Sequence, residues 1–306
     1  MRTRSLSRRV AVAAVAATAL VLSACGGDSE DAASEDTGGG ASEPSVSADE
    51  ELAALVPESV AEDGVITVGT DSTYAPAEFL DEDGQTIVGF DIDLFGLVAQ
   101  KLGLEAEFET ASFDSIIAGV GSGRYETGVS SFTINPERLE QANMISYFSA
   151  GTQWAAQADN PEGVDPDDAC GLAIAVQRGT VQVDDLTARS AACEAAGDEP
   201  LTINQFEGQD EATASVVSGR NVAVVSDSPV VAYAVQQTNG QLELLGDIYD
   251  SAPYGYVVAK DQTDFADAIA QALAALIEDG SYQQVLEEWG VEDGAISDPT
   301  VNPSLD

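Results

Sequence analysis

Val88-Gly89-Phe90-Asp91-Ile92-Asp93-Leu94-Phe95-Gly96-Leu97-Val98-Ala99-Gln100-Lys101-Leu102-Gly103 changes its period partway along, and that change decides the fold class. Just before it, Thr86-Ile87-Val88 follows the Asp83-Gly84 turn and reads as a short strand. From Asp91 onward Ile92, Phe95, Val98, Ala99 and Leu102 recur at helical spacing, which makes one helix face apolar, and Gly103 supplies the stop. Upstream, Val65-Ile66-Thr67-Val68-Gly69 is a β-branched strand that ends in Thr70-Asp71. Strands alternating with helices predict an α/β fold with mostly parallel sheets.

The alternation continues outward. Residues 115–121 read as a helix, and Thr127-Gly128-Val129 as a strand that leads into Ser130-Ser131-Phe132-Thr133. A strand over 152–156 leaves this first lobe, and the proline-bearing acidic loop over 159–168 opens a second. There a strand over 172–176, a Gly179-Thr180 turn, a helix to about residue 192 and a strand over 222–225 repeat the theme. Tyr256-Val257-Val258-Ala259 reads as a return strand, followed by helices over 265–278, with apolar Phe265, Ile269, Leu273 and Leu276, and over 282–289. The expected organisation is a first lobe of 60–154 completed by 253–295, a second lobe of 155–252 inserted between, and a tail over 296–306. Two crossover segments near Trp154 and Pro253 would form the hinge.

Arg2, Arg4, Arg8 and Arg9 precede an apolar run over 10–22, the pattern of an export signal over 1–24. The run falls short of the roughly 20 residues that a spanning helix needs. Leu22-Ser23-Ala24-Cys25-Gly26 resembles the bacterial lipobox, which implies that Cys25 is lipidated and becomes the mature amino terminus; the alternative is an ordinary signal peptide with a chance cysteine. Two or more acyl chains would hold the protein stably at a membrane. Residues 25–55, dominated by Gly, Ser, Ala, Asp and Glu, are expected to form a disordered tether.

Acidic residues outnumber basic ones 54 to 11, and four of the eleven lie in the leader. That excludes nucleic acid as a partner. It also describes a well-solvated surface that favours cationic ligands. In an exported chain disulfides persist, so Cys170 and Cys193 are expected to pair, with two core thiols as the alternative.

The chain has no histidine, no Gly-x-Ser-x-Gly elbow, no phosphate loop and no cysteine cluster with metal spacing, so no cofactor or metal is expected. Acid/base catalysis would rest on carboxylates, and among so many no pair stands out. Cations are scarce and so more informative. Arg138, in Ser131-Phe132-Thr133-Ile134-Asn135-Pro136-Glu137-Arg138, could grip a carboxylate through two parallel hydrogen bonds or serve a surface salt bridge.

Four segments, Gly69-Thr70-Asp71-Ser72-Thr73-Tyr74-Ala75-Pro76, Val88 to Leu94, Ser130 to Arg138 and Ser226-Asp227-Ser228-Pro229, occur in the order and spacing of one family. The chain resembles, over about 65–289, the polar amino-acid-binding proteins of bacterial ABC importers, solute-binding protein family 3, particularly those for glutamine, histidine, or lysine, arginine and ornithine. The resemblance implies a two-lobed type II periplasmic-binding-protein-like fold, and an extracytoplasmic, monomeric lipoprotein that hands a polar amino acid to an ABC permease. It implies that Arg138 binds the ligand α-carboxylate with the Thr133 hydroxyl and the backbone at Thr180 and Val181, and that Asp227 meets the α-ammonium with Ser131 assisting. Ser130 joins the same set. Tyr74 and Phe113 would sandwich the aliphatic part, and Asp71 would contact the distal end.

The sequence departs from its relatives at Gln177, Arg178 and Val181, and Pro76-Ala77-Glu78 lacks the bulkier residue often found after the proline. Gln177 suits an amide or a guanidinium, while Arg178 is either a surface residue or a second anion contact. Asp71 ranks basic amino acids narrowly ahead of glutamine and disfavours glutamate and aspartate. The chain is expected not to be an enzyme; the rival readings are a dehydratase on the same fold and a binding module that serves a receptor.

Overall fold

The computed structural model describes residues 45–305. The expected signal peptide, Cys25 and most of the expected tether lie outside the described residues, as does Asp306. In chain order the elements are α1 (Glu50–Ala53), α2 (Glu58–Ala61), β1 (Val65–Thr70), β2 (Thr73–Tyr74), β3 (Glu78–Leu80), β4 (Ile87–Val88), α3 (Phe90–Lys101), β5 (Glu105–Thr110), α4 (Phe113–Gly121), β6 (Thr127–Gly128), α5 (Pro136–Gln141) and β7 (Ala142–Gln157). There follow β8 (Ala173–Gln177), α6 (Val181–Ala196), β9 (Thr202–Phe206), α7 (Gln209–Val217), β10 (Ala223–Asp227), α8 (Ser228–Gln237), β11 (Leu242–Ala259), α9 (Thr263–Asp279) and α10 (Ser281–Trp289).

One eight-stranded sheet has the order β5-β1-β6-β11-β7-β10-β8-β9, and β2, β3 and β4 form a small antiparallel sheet beside it. β1 pairs in parallel with β5 and β6, and β8 in parallel with β9 and β10. The long strands β7 and β11 run antiparallel to each other between these two parallel sets. The result is the two-lobed α/β architecture, with each parallel set the centre of one lobe.

The two connecting strands are far longer than the segments over 152–156 and 256–259 that read as strand. Ser149, Gly151, Ser251 and Pro253 look like interruptions, but shifts in register on both sides of Tyr249 absorb them. At Gly151 a Cβ would lie 2.5 Å from Ile248 Cγ2 and 2.7 Å from the Tyr249 carbonyl oxygen, so only glycine lets the two strands approach there.

In the first lobe α3 buries Leu94, Phe95 and Val98 in one core with Phe265, Ile269, Leu273 and Leu276 of α9. In the second, Trp154, Ile174, Val176, Leu186 and Val225 form a core under α6. The Cys170–Cys193 disulfide ties the approach to β8 to α6. Its sequence separation of 23 corresponds to a stabilisation of about 3 kcal/mol in the chain-entropy model.

One end segment departs from expectation. The tether does not extend to residue 55: Val46 N–H donates to Gln100 Oε1, Asp49 N–H donates to the Lys101 carbonyl, and the Asp49 carboxylate caps α1 by accepting from Glu51 and Leu52 N–H. Val46 and Leu52 pack on the first core, and two apolar side chains with a capped turn suffice to dock a segment whose overall composition hides them. The tail over 296–305 packs against the first lobe. Val301 bridges Ile145, and Asn302 exchanges two hydrogen bonds with the Met144 backbone, which covers that stretch of β7.

Candidate ligand-binding site

Asp71 follows β1, Ser130 and Ser131 follow β6, Gln177 ends β8 and Asp227 ends β10. All are buried, and all stand at carboxyl ends of strands, where open α/β sheets place their ligands. Arg138 reaches the same region from α5, which Asn135 caps by accepting from Arg138 N–H.

The Arg138 guanidinium donates to the Thr133 carbonyl at 2.7 Å in its own lobe and to the Gly179 carbonyl at 3.2 Å in the other. Its carbon lies 5.3 Å from the centre of the Phe113 ring and 5.4 Å from that of Phe132, and these two rings stack at 4.6 Å. Burial lowers its pKa to about 10, opposed by the charge of Asp227. A cavity of about 260 Å³ beside it is lined by Phe113, Phe132, Arg138, Gly179, Thr180 and Asp184. A larger hollow of about 550 Å³, between Tyr233, Ile248 and Trp289, holds none of the predicted ligand residues.

Asp227 accepts from the Tyr74 hydroxyl at 2.8 Å across the cleft and from Gln182 Nε2 at 2.7 Å within its lobe. Burial raises its pKa, opposed by these donors and by Arg138. Arg138 and Asp227 are thus two buried groups of opposite charge that act on each other.

Asp71 accepts from Thr73 N–H and hydroxyl, from Phe113 N–H at 3.0 Å and, across the cleft, from Gln177 Nε2 at 3.1 Å. Burial raises its pKa, opposed by the Thr73 and Phe113 hydrogen bonds. Every one of these donors is neutral. Gln177 Oε1 beside it is buried with no hydrogen-bond partner. Asp71 and Gln177 thus present a carboxylate and an unused carbonyl acceptor.

Several predicted residues sit otherwise than their implied roles suggest. Thr133 meets Arg138 through its carbonyl. The Ser130 hydroxyl accepts from Asp71 N–H and donates to Glu78, and the Ser131 hydroxyl faces Glu78 and Asp91. Tyr74 contributes its hydroxyl to Asp227. The Thr180 hydroxyl donates to the Gln177 carbonyl, and Val181 begins α6, whose first N–H groups have helix-start character. Arg178 pairs with Asp114 of the opposite lobe at 2.6 Å on the exposed rim. Gln182, Glu78 and Asp91 carry no sequence signal of their own; Gln182 is the second residue of α6, just after the Gly179-Thr180 turn, and that position is the one cue that it faces Asp227.

The chain matches the bacterial extracellular solute-binding proteins, family 3, over residues 66–292. It belongs to that family, as an amino-acid-binding protein of the type that serves ABC transporters and not as an enzyme. It is 41% identical over 253 residues to the arginine-binding protein ArgT of Corynebacterium glutamicum, covering 82% of this chain and 83% of the relative. The L-cystine-binding protein TcyJ of Escherichia coli K12 is 25% identical over 75% of this chain and 84% of its own. Among solved structures, an ancestral arginine-binding protein bound to arginine superposes with a TM-score of 0.68 at 32% identity, covering 74% of this chain and 98% of the other. Among the described residues no helix is long and apolar enough to cross a membrane.

Proposed function

We propose that this protein captures a basic amino acid, arginine foremost, outside the cytoplasm and delivers it to an ABC import permease while anchored through a lipid on Cys25. The observation that carries the choice of ligand is the charge arithmetic of the buried site. Arg138 and Asp227 answer the two charges of any α-amino acid. Asp71 is a third charge with only neutral hydrogen-bond donors, and beside it Gln177 Oε1 is an unused acceptor. A guanidinium or ammonium at the ligand's far end supplies the missing positive charge and the missing donor. A glutamine amide supplies the donor alone, and a glutamate carboxylate would face a like charge.

Closure is the mechanism. The lobes, over 60–154 with 253–295 and over 155–252, turn about the close strand contact at Gly151, and a ligand that touches Arg138 on one side and Asp227 on the other stabilises the closed state by its differential affinity for it. Arg138 Nη atoms and the first N–H groups of α6 hold the carboxylate, Asp227 holds the ammonium, and the Phe113 and Phe132 rings shield Arg138 from water.

Calorimetry against arginine, lysine, glutamine and glutamate tests the ligand. Arginine is expected to bind most tightly and glutamate not at all, and Asp71→Asn should cost arginine about 1–4 kcal/mol while leaving glutamine nearly unchanged. Glutamate binding by the unmutated protein, or equal losses for arginine and glutamine in the mutant, would overturn the assignment. For the anchor, Cys25→Ala is expected to move the protein from the membrane fraction to the medium; retention in the membrane would refute it.

A further inference from the structure

Behind the ligand residues lies a second pair of acidic groups that the binding reading does not use. Glu78 opens β3 and Asp91 lies in the first turn of α3, and both are fully buried. The chain brings them together because Phe90 and Asp91 N–H donate to the Pro76 and Ala77 carbonyls. Gly89, at φ +140°, permits this: a Cβ there would fall on the Ala77 carbonyl.

Asp91 Oδ2 accepts from Ser131 N–H at 2.9 Å and from the Tyr147 hydroxyl at 2.6 Å. Glu78 Oε1 accepts from the Ser130 hydroxyl at 2.9 Å, and Ser130 in turn accepts from Asp71 N–H. The Ser131 hydroxyl stands 3.3 Å from Asp91 Oδ2 and 3.4 Å from Glu78 Oε2. With one proton to give, that hydroxyl lies between the two carboxyl groups and cannot donate to both at once. Asp91 Oδ1 is a buried acceptor that no N–H or hydroxyl serves.

We infer that Glu78 and Asp91 share one proton at neutral pH, and that this carboxyl–carboxylate pair is a positioning element that holds Ser130 and Ser131, and through Ser130 the Asp71 backbone, from behind the ligand. Two ionised carboxylates that flank one serine hydroxyl out of water would repel without compensation. The other titratable groups facing them are Asp71, Tyr147 and Tyr256, none of which is a cation. The proton resides on Glu78, because Asp91 receives the better donors and is the better-stabilised anion. Burial and the neighbouring Asp91 charge push Glu78 well above the usual carboxylate range, while for Asp91 the rise from burial is opposed by the Tyr147 and Ser131 donors. The ionised Asp91 anchors the N–H of Ser131, which sits at φ +50°, a left-handed conformation that serine rarely adopts.

Glutamine copies a protonated glutamate: its N–H can donate to Asp91 while its carbonyl accepts from Ser130. Infrared spectra of the ligand-free protein at pH 7 should therefore show the carbonyl stretch of a protonated carboxyl that disappears in Glu78→Gln and persists in Asp71→Asn and Asp227→Asn. The stability profile carries the same signature. A carboxyl whose folded pKa is raised binds its proton in the folded chain after the unfolded chain has released it, so its contribution falls as pH rises from the ordinary 4.5 to the folded value. Melting temperatures of the wild type should show that decline, and those of Glu78→Gln should lack it. Arginine affinity in Glu78→Gln should stay within about threefold of wild type, whereas Glu78→Ala should lose about tenfold or more, since the Ser130 hydroxyl and the Asp91 carboxylate each lose a partner.

A missing band, or a band indifferent to Glu78→Gln, would overturn the shared proton; wild-type affinity in Glu78→Ala would overturn the positioning role. The inference rests on the amino-acid-binding reading in the affinity measurements alone. Failure of the wild type to bind arginine would sink that reading, while the spectra and melting curves would still judge the pair.

Discussion

Arg138→Ala is expected to weaken arginine binding by about 2–5 kcal/mol, a rise in Kd of roughly 30- to 4,000-fold, measured by calorimetry. The site offers no substitute cation: the other described basic side chains near the cleft reduce to Arg178, which is turned to the rim and paired with Asp114. Without the guanidinium, the ligand carboxylate would be enclosed against the Thr133 and Gly179 carbonyls, which are acceptors and repel it. The α6 N–H groups remain and should keep the loss from being total. Arg138→Lys restores the charge without the planar fork and is expected to fall between the two. Affinity within threefold of wild type for Arg138→Ala would mean that the carboxylate lies elsewhere.

Asp227→Asn should cost about 2–4 kcal/mol, by the loss of the charge-assisted bond to the ligand ammonium and of the negative charge that balances Arg138. Its effect should depend on pH in a defined sense. Burial raises the Asp227 pKa above 3.8, so on acidification the wild-type site loses its carboxylate before an exposed aspartate would. Affinity should fall along that limb in the wild type and be flatter in the mutant. The contribution to folding runs the opposite way: the folded chain takes up this proton at a higher pH than the unfolded one, so this group's share of stability increases as pH falls through the raised pKa toward 3.8. Calorimetric titrations across that interval, with melting curves alongside, read both arms. A wild-type affinity that is constant where the carboxyl protonates would remove Asp227 from the ammonium site.

The parts legible in the sequence are those where one local signal dominates. α3 announces itself because its apolar residues keep helical spacing up to a glycine, and β1 because five residues of β-branched character precede Asp71. α7 and α8 were missed for opposite reasons: α7 opens with Gln209, Asp210 and Glu211 and carries little apolar periodicity, whereas the Val230-Val231 pair in α8 has strand-like side chains. β5 and β9, at the two ends of the sheet, have no buried residue and are exposed or half-buried throughout, so neither shows an apolar run. In the site, Arg138 was legible because cations are rare in this chain. Glu78 and Asp91 were not, since burial, which sequence does not display, is what separates them from the other acidic residues.

The lobes meet through several of the side chains proposed to hold the ligand. Tyr74 bonds Asp227, Gln177 bonds Asp71, Arg138 bonds the Gly179 carbonyl, and Gln209 N–H bonds the Thr73 hydroxyl, with the Arg178–Asp114 pair outside them. On the proposed reading arginine enters among these same groups, so each cross-lobe bond bears on the balance between parted and closed lobes that sets its affinity. Where only parted lobes admit the ligand, the apparent dissociation constant is the intrinsic one divided by the fraction of molecules parted at any instant. The kinetic counterpart on that reading would be a ceiling: if the lobes must part before the ligand enters, the association rate climbs with ligand concentration and levels off at the rate of opening.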